Sequence, residues 1–335
     1  DGTITISSPQ GGSGDYEYSI DGGASWQVSG SFIDLPPGNY NVQIRDANAP
    51  ACVIILNNNL EITQPPALTI DTQPADINDC YGNSATFSVG ISGGAGTISY
   101  QWEKENAGVW TAVTDGGDIS GATTANLTIS NISSTHNGLY RVVVSDLCSS
   151  VVSGEVTLTV NEITALTPAV QTSEICEGDD FTFEVTTSGS APTGYQWQVN
   201  TSGTWNDLPG ETGSILTITA ATPAESGEYR VVVDFPSSTG PDCSLESNLF
   251  FERHLIVHPT PTVDDPGPLD FCDVSSTTPI PLTGTPAGVV VFDITGGTAI
   301  GLPDQTGVTE IPSFSTIEGT ATLTITPRAN GCTGT

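Results

Sequence analysis

Methionine is absent from this 335-residue chain and basic side chains nearly so: six Lys+Arg stand against 38 Asp+Glu, a formal net charge of −32. A polyanion of this kind repels phosphate backbones, so nucleic acid is excluded as a partner. No apolar run is long enough to span a bilayer, and no basic-then-apolar leader opens the chain, so membrane insertion is not expected. Only three His are present, with no recognisable Ser/His/Asp arrangement and no glycine-rich phosphate loop. That leaves nothing from which to assemble a catalyst, and the chain reads as a non-enzyme without a bound cofactor. The seven Cys include no Cys-x-x-Cys pair, which argues against zinc ribbons and redox motifs and for an oxidising, extracellular setting. No stretch sustains a 3.6-residue amphipathic period. Without a Met even at position 1, the chain reads as an excised or processed piece of a longer protein.

What is present in quantity is Gly (37) and Pro (23) among short alternating runs of Thr, Ser, Val and Ile, the composition of an all-β chain of short strands and turns. One constellation occurs twice, 96 residues apart. It runs Cys80, Gly82, Phe87, Tyr100-Gln101-Trp102, Trp110, Leu127-Thr128-Ile129, Tyr140-Arg141-Val142-Val143-Val144, Cys148, and again Cys176, Gly178, Phe183, Tyr195-Gln196-Trp197, Trp205, Leu216-Thr217-Ile218, Tyr229-Arg230-Val231-Val232-Val233, Cys243. A period this long and this well matched means tandem domains. Four units are expected: 1–64, 67–161, 162–258 and 262–335. The first is closed by Gln64-Pro65-Pro66 and the third by Pro259-Thr260-Pro261, because proline resists both ladder pairing and helix. The first unit alternates at Thr3–Ile6, Tyr16–Ile20 and Tyr40–Ile44, and the fourth at 288–294 and 320–326. The fourth has no closing strand after Cys332, so the native chain is expected to continue.

Each twin repeat has a Trp on its third strand (Trp102, Trp197) and a Gly-x-Tyr corner (Tyr140, Tyr229) leading into a Val-rich strand, and in this it resembles an immunoglobulin (Ig)-like sandwich domain. The resemblance implies that the Trp fills the inter-sheet core and that the Tyr hydroxyl bonds back to nearby backbone. It also implies core-like positions for Trp110 and Trp205. The chain departs from the family where a core cysteine is expected two residues after the corner, since Val142 and Val231 stand there. This variant looks like the Ig-like repeats of very large surface proteins of gliding, type-IX-secreting bacteria. In the first unit, Tyr16-x-Tyr18-Ser19-Ile20-Asp21-Gly22-Gly23, Leu35-Pro36-Pro37-Gly38-Asn39-Tyr40 and Arg45-Asp46-Ala47-Asn48 resemble an SprB-type repeat, a small β-sandwich of gliding-motility adhesins. The last unit, through Gly301-Leu302, Gly307-Val308-Thr309, Ile311-Pro312 and Asn330-Gly331-Cys332, looks like a truncated PKD-like or Ig-like domain.

Ser19-x-Asp21-x-Gly23-x-Ser25-Trp26 also fits the Asp-box of sialidases. As a glycosidase signature it would need clustered arginines for a substrate carboxylate, and the five arginines here are scattered. As a hairpin device it needs only Asp21 bonding turn backbone and Trp26 packing beneath. His254 and His258 would have metal-ligand spacing on a helix, but in a strand they are about 13 Å apart. The acidic turns Asp115/Asp118, Glu177/Asp179/Asp180 and Asp264/Asp265 offer hard oxygen ligands, so calcium is the one cation considered, stiffening joints between units.

The Ig-like resemblance bears on the cysteines. In that strand order the second and sixth strands run the same way on opposite sheets. Cys80 precedes the second and Cys148 follows the sixth, which puts them about 25 Å apart for a strand of roughly eight residues, against a limit of about 7 Å. The scheme expected is therefore between neighbouring domains, Cys80 with Cys243 and Cys176 with Cys332, leaving Cys52, Cys148 and Cys272 over. The other scheme is one bridge per unit: Cys80–Cys148, Cys176–Cys243 and Cys272–Cys332. Taken together, these resemblances imply a structural and adhesive stalk segment of a secreted, cell-surface protein. Its partners would be neighbouring domains of the same long chain, surface glycans or secretion machinery. The alternative is a glycan-binding accessory region of a secreted carbohydrate-active enzyme, whose mark would be exposed aromatics gathered on one face.

Overall fold

The computed structural model describes residues 2–271 and 275–334; Cys272 lies outside the described residues. Regular structure is all β, interrupted only by single-turn 3-10 helices. In residues 2–62, Gly2–Thr5 pairs with Ser31–Leu35, and Gly38–Asp46 lies between Tyr16–Ser19 and the long edge strand Ala49–Ile62. Ile4, Tyr18, Val42 and Ile44 are buried between these two small sheets, whereas Val53, Ile54, Ile55 and Leu56 on the edge strand are exposed.

Residues 67–161 form two facing sheets. One comprises Ile119–Ser120, Asn126–Ile129 and Ala85–Ser88. The other runs Val109–Ala112, Ser99–Asn106, Gly138–Ser145, Val156–Thr167, with Ile77–Cys80 added in parallel to the last. Alternation drives this pairing. In Gly138–Ser145, Tyr140, Val142 and Val144 point inward to meet Phe87, Trp102, Leu127 and Ile129 in a single apolar cluster. Residues 163–257 repeat the plan. Phe181–Ser188 pairs with Ile215–Ile218, opposite the run Thr172–Cys176, Arg253–His258, Gly227–Phe235, Gly194–Thr201, Thr204–Asp207, over a cluster of Phe183, Trp197, Leu216, Tyr229 and Val231. This is the strand order of tandem Ig-like sandwiches.

Val156–Thr167 is a single twelve-residue strand whose first half closes one sandwich and whose second half, from Glu162, pairs with Phe181–Ser188 of the next. The boundary read at 161/162 thus falls inside one strand, without a loop. The last cluster gathers Leu282, Phe292, Ile294, Leu302 and Ile311. Its main sheet is built on Val291–Thr295 and Thr324–Ala329, which overlap the runs read at 288–294 and 320–326 and begin three and four residues later.

Trp102 and Trp197 are 0% exposed, and their indole N–H groups donate to Thr124 O and Gly213 O, each at 2.9 Å. Trp110 and Trp205 are not core residues, contrary to their expected positions. Register explains why. Trp110 stands opposite Glu105 and Trp205 opposite Asn200. Directly opposed residues share a face, and Glu105 and Asn200 are an odd number of positions from the inward Trp102 and Trp197.

Candidate functional site: the joints and the turns that face solvent

The chemistry of this chain concentrates where one sandwich meets the next. Cys80, at the end of Ile77–Cys80, is bonded to Cys243, at the start of Cys243–Glu246, with Cα atoms 6.1 Å apart. Cys176, at the end of Thr172–Cys176, is bonded to Cys332 with Cα atoms 5.6 Å apart. Both bonds join neighbouring sandwiches. The one-bridge-per-unit alternative does not form: Cys148 and Cys52 carry free, exposed thiols, and Cys332, which that scheme gave to Cys272, is bonded to Cys176. A loop-length difference makes the first bond reachable. Cys148 lies eight residues after Tyr140, but Cys243 lies fourteen after Tyr229. The longer 236–242 loop reaches the strand that carries Cys80.

That loop also docks by hydrogen bonds. Asn78 N donates to Ser238 Oγ and Ser238 N to Asn78 O, each at 2.8 Å. The side-chain amides of Asn78 and of the fully buried Asn161 both donate to Pro236 O, at 3.0 and 3.1 Å. Thr239 Oγ1 donates to Asp79, and Tyr81 meets Phe250 edge-on at 5.3 Å. At the other joint His258 Nε2 lies 2.8 Å from Glu174 and its Nδ1 3.1 Å from the Asn330 amide nitrogen, while Thr260 N donates to Glu177 at 2.9 Å. Of these polar joint residues only Glu177 and His258 were singled out by sequence, and for metal binding, not for a joint; the others read as ordinary polarity, and their partners are 72 to 160 residues away.

All the carboxylates considered for calcium except Asp118 are engaged by backbone or hydroxyl donors. Asp115 accepts from Ala122 N, Asp179 from Cys176 N, Asp180 from Ala220 N, Asp264 from Thr283 Oγ1 and Asp265 from Gly267 N. Asp118 lies beside the loop of His136, whose pKa is lowered chiefly by burial. Among the described residues no three His, Cys, Asp or Glu side chains converge, so these acids are not gathered into a ligand set. His254 lies 3.7 Å from Glu228, a contact separate from that of His258.

Corner hydroxyls donate to the carbonyl four residues upstream: Tyr140 to His136 at 2.8 Å and Tyr229 to Glu225 at 2.6 Å. Burial pushes both phenols up to about 12. Tyr40 does the same to Pro36 at 2.5 Å, a third corner announced only by the shared Gly-x-Tyr spacing. In the Asp-box-like turn, Asp21 accepts from Ser25 N at 2.9 Å, from Ser25 Oγ, and from Ser19 Oγ, and Trp26 Nε1 donates to Gly23 O at 3.0 Å. Gly23 holds φ +92°, where a side chain would be strained.

The Ser25 hydroxyl first, then its N–H, holds Asp21 at about 2, against about 3.9 for a free carboxyl. A depressed folded-state pKa stabilises above the unfolded value, and that contribution disappears as pH falls from about 4 to about 2. Amide protection factors across residues 19–27, taken against the intrinsic rate at each pH, should therefore fall over that interval. In Asp21→Asn they should already be low at neutral pH and unchanged across the interval; the same acid-dependent fall in the variant would contradict this.

On the outer faces, Arg45 lies 4.2 Å over Trp26, Arg141 4.2 Å over Trp110 and Arg230 4.5 Å over Trp205, measured to the ring centroid. Each arginine is also paired with a carboxylate, Glu17, Glu103 and Glu246 respectively. The half-buried indoles therefore already have a cation on one ring face.

Residues 70–162 match a family described as a domain of unknown function (DUF8696). A 193-residue stretch is 28% identical to Endoglucanase C of Cellulomonas fimi, covering 56% of this chain and 16% of that protein. Among solved structures, the N-terminal four Ig domains of Dscam1 isoform 6.9 align at 16% identity over 73% of this chain and 66% of that one, with a TM-score of 0.36. An I-band fragment from titin aligns at 15% identity over 82% and 98%, with a TM-score of 0.39.

Proposed function

We propose that this chain is a stalk segment of a secreted, cell-surface protein, spacing or presenting a binding region for attachment or gliding. On this reading its domains are 1–64, 67–161, 162–258 and 262–335. The observation that carries the reading is the pair of disulfides placed between sandwiches, where they fix orientation, and not within them. The −32 charge suits an exposed, self-repelling polymer that stays soluble. The first 64 residues, with their corner at Tyr40 and their Asp-box-like turn, support an SprB-type repeat and hence a gliding-motility adhesin as the parent. Clamped joints and Pro-containing linkers leave little room for folding back. Small-angle scattering should give a radius of gyration well above the roughly 20 Å of a compact chain of this length; a globular profile would refute the stalk.

A second reading rests on the stretch shared with Endoglucanase C: a glycan-binding accessory region of a carbohydrate-active enzyme. It would use Trp26, Trp110 or Trp205, whose stacked arginines would have to move aside or leave the opposite ring face to the sugar. Retardation of the chain in gels containing soluble β-glucan, abolished by Trp110→Ala or Trp205→Ala, would favour this reading; unretarded migration favours the stalk alone.

A further inference from the structure

Arg253 stands where the twin repeat has a core valine. Tyr140 is paired in register with Val156, and Tyr229 with Arg253. Both positions are buried, Arg253 to 7% exposure. The other arginines are paired with Glu17, Glu103, Glu246 and Asp293. Arg253 has no carboxylate partner among the described residues, in a chain with 38 acidic side chains. Its Nε and Nη2 donate to Leu166 O at 3.2 and 2.7 Å and its Nη1 to Glu252 O at 2.8 Å. Two of the five guanidinium N–H bonds are left over. A buried charge is normally paired, because removing it from water is costly.

A local insertion surrounds this cation. Ser153 and Ser247 are equivalent, each accepting the N–H of the inward valine on the neighbouring strand. Two residues separate Ser153 from Val156, but five, Asn248-Leu249-Phe250-Phe251-Glu252, separate Ser247 from Arg253. They wall an open groove of about 540 Å³ shared with residues 165–171. Leu249 is 70% exposed at its lip, and Phe251 lies under the guanidinium at 5.5 Å. Other polar groups of the groove are engaged: Gln171 Nε2 donates to Glu252 and Thr167 Oγ1 to Glu184 O. A groove of mixed polar and apolar lining, with Leu249 and Phe251 beside one buried cation that has no carboxylate partner, fits a single carboxylate on an apolar body. The Glu252 carboxylate on its wall and the surrounding negative charge disfavour a polyanion.

We propose that the groove between residues 165–171 and 248–253 binds the C-terminal carboxylate of a peptide ending in an apolar residue, with the carboxylate on Arg253 and the side chain against Leu249 and Phe251. The site is independent of the stalk reading. Calorimetric titration of the full chain with N-acetyl-leucine should show saturable binding, and N-acetyl-leucinamide should bind at least tenfold more weakly. The Arg253 Nε resonance should shift with the acid only. Arg253→Val, which restores the residue of the twin repeat, should abolish binding. Leu249→Ser, at an exposed position that leaves the fold intact, should weaken it severalfold. Equal binding of acid and amide, no binding of the acid at tens of millimolar, or tighter binding of glucuronate than of N-acetyl-leucine would each overturn the proposal.

Discussion

Trp197→Ala should destabilise the sandwich of residues 163–257 by about 4 kcal/mol, whereas Trp205→Ala, eight positions on, should cost about 1 kcal/mol or less. Trp197 is fully buried beside Phe183 and Tyr229, and its loss opens a cavity in a cluster that cannot collapse around it. It also orphans Gly213 O, which accepts the indole N–H. Trp205 is half-buried on the outer face, and its removal forfeits chiefly the stack under Arg230. Denaturant titration followed by hydrogen exchange of peptides within 181–199 isolates this sandwich from its neighbours. Equal losses for the two variants would mean that the outward placement of Trp205 is wrong.

Replacing Cys80 and Cys243 together by serine should remove a stabilisation of about 5 kcal/mol on the chain-entropy account, since the bond closes a sequence separation of 163. It should also release the 236–242 loop. The hydrogen bonds between Asn78 and Ser238 lie at the edge of the joint, so exchange protection there should fall at least tenfold. The control is Cys52→Ser with Cys148→Ser. Both thiols are free and exposed, and their loss should change stability by less than about 0.5 kcal/mol. If the control variant lost as much as the Cys80/Cys243 pair, these bonds would not be what holds the joint.

The strand order was legible because each twin repeat carries two large side chains, Trp and corner Tyr, at fixed distances from an alternating Val run, and burial leaves such a pattern few solutions. Tyr40 was hidden by its smaller setting, although Gly38-x-Tyr40 matches Gly138-x-Tyr140. The outward turn of Trp110 and Trp205 was readable in principle. It needed the hairpin register, which shifts parity between paired strands, and not the spacing along one strand. Arg253 left a signal too, since it alternates with Leu255 and Val257 and so belongs to their inward face; a charged residue simply outweighed the period. The contacts of Asn78, Asp79 and Ser238 left none. They depend on how two separately folded bodies meet, which no local pattern encodes.

The order of the four bonded cysteines along the chain has a consequence for extension. Cys80, Cys176, Cys243 and Cys332 are linked first to third and second to fourth, so the two closed loops interlock. Were every strand to come apart while the bonds held, four routes would connect residue 80 to residue 332, three of them through at least one bond. The shortest crosses to 243, runs back 67 residues to 176 and crosses again to 332. That route caps the separation of residues 80 and 332 at roughly 230 Å, where the unbridged 252 residues between them would reach roughly 870 Å. A chain pulled from its two ends would therefore extend this region to only about a quarter of its unbridged contour length, and a thiol reductant would release the rest.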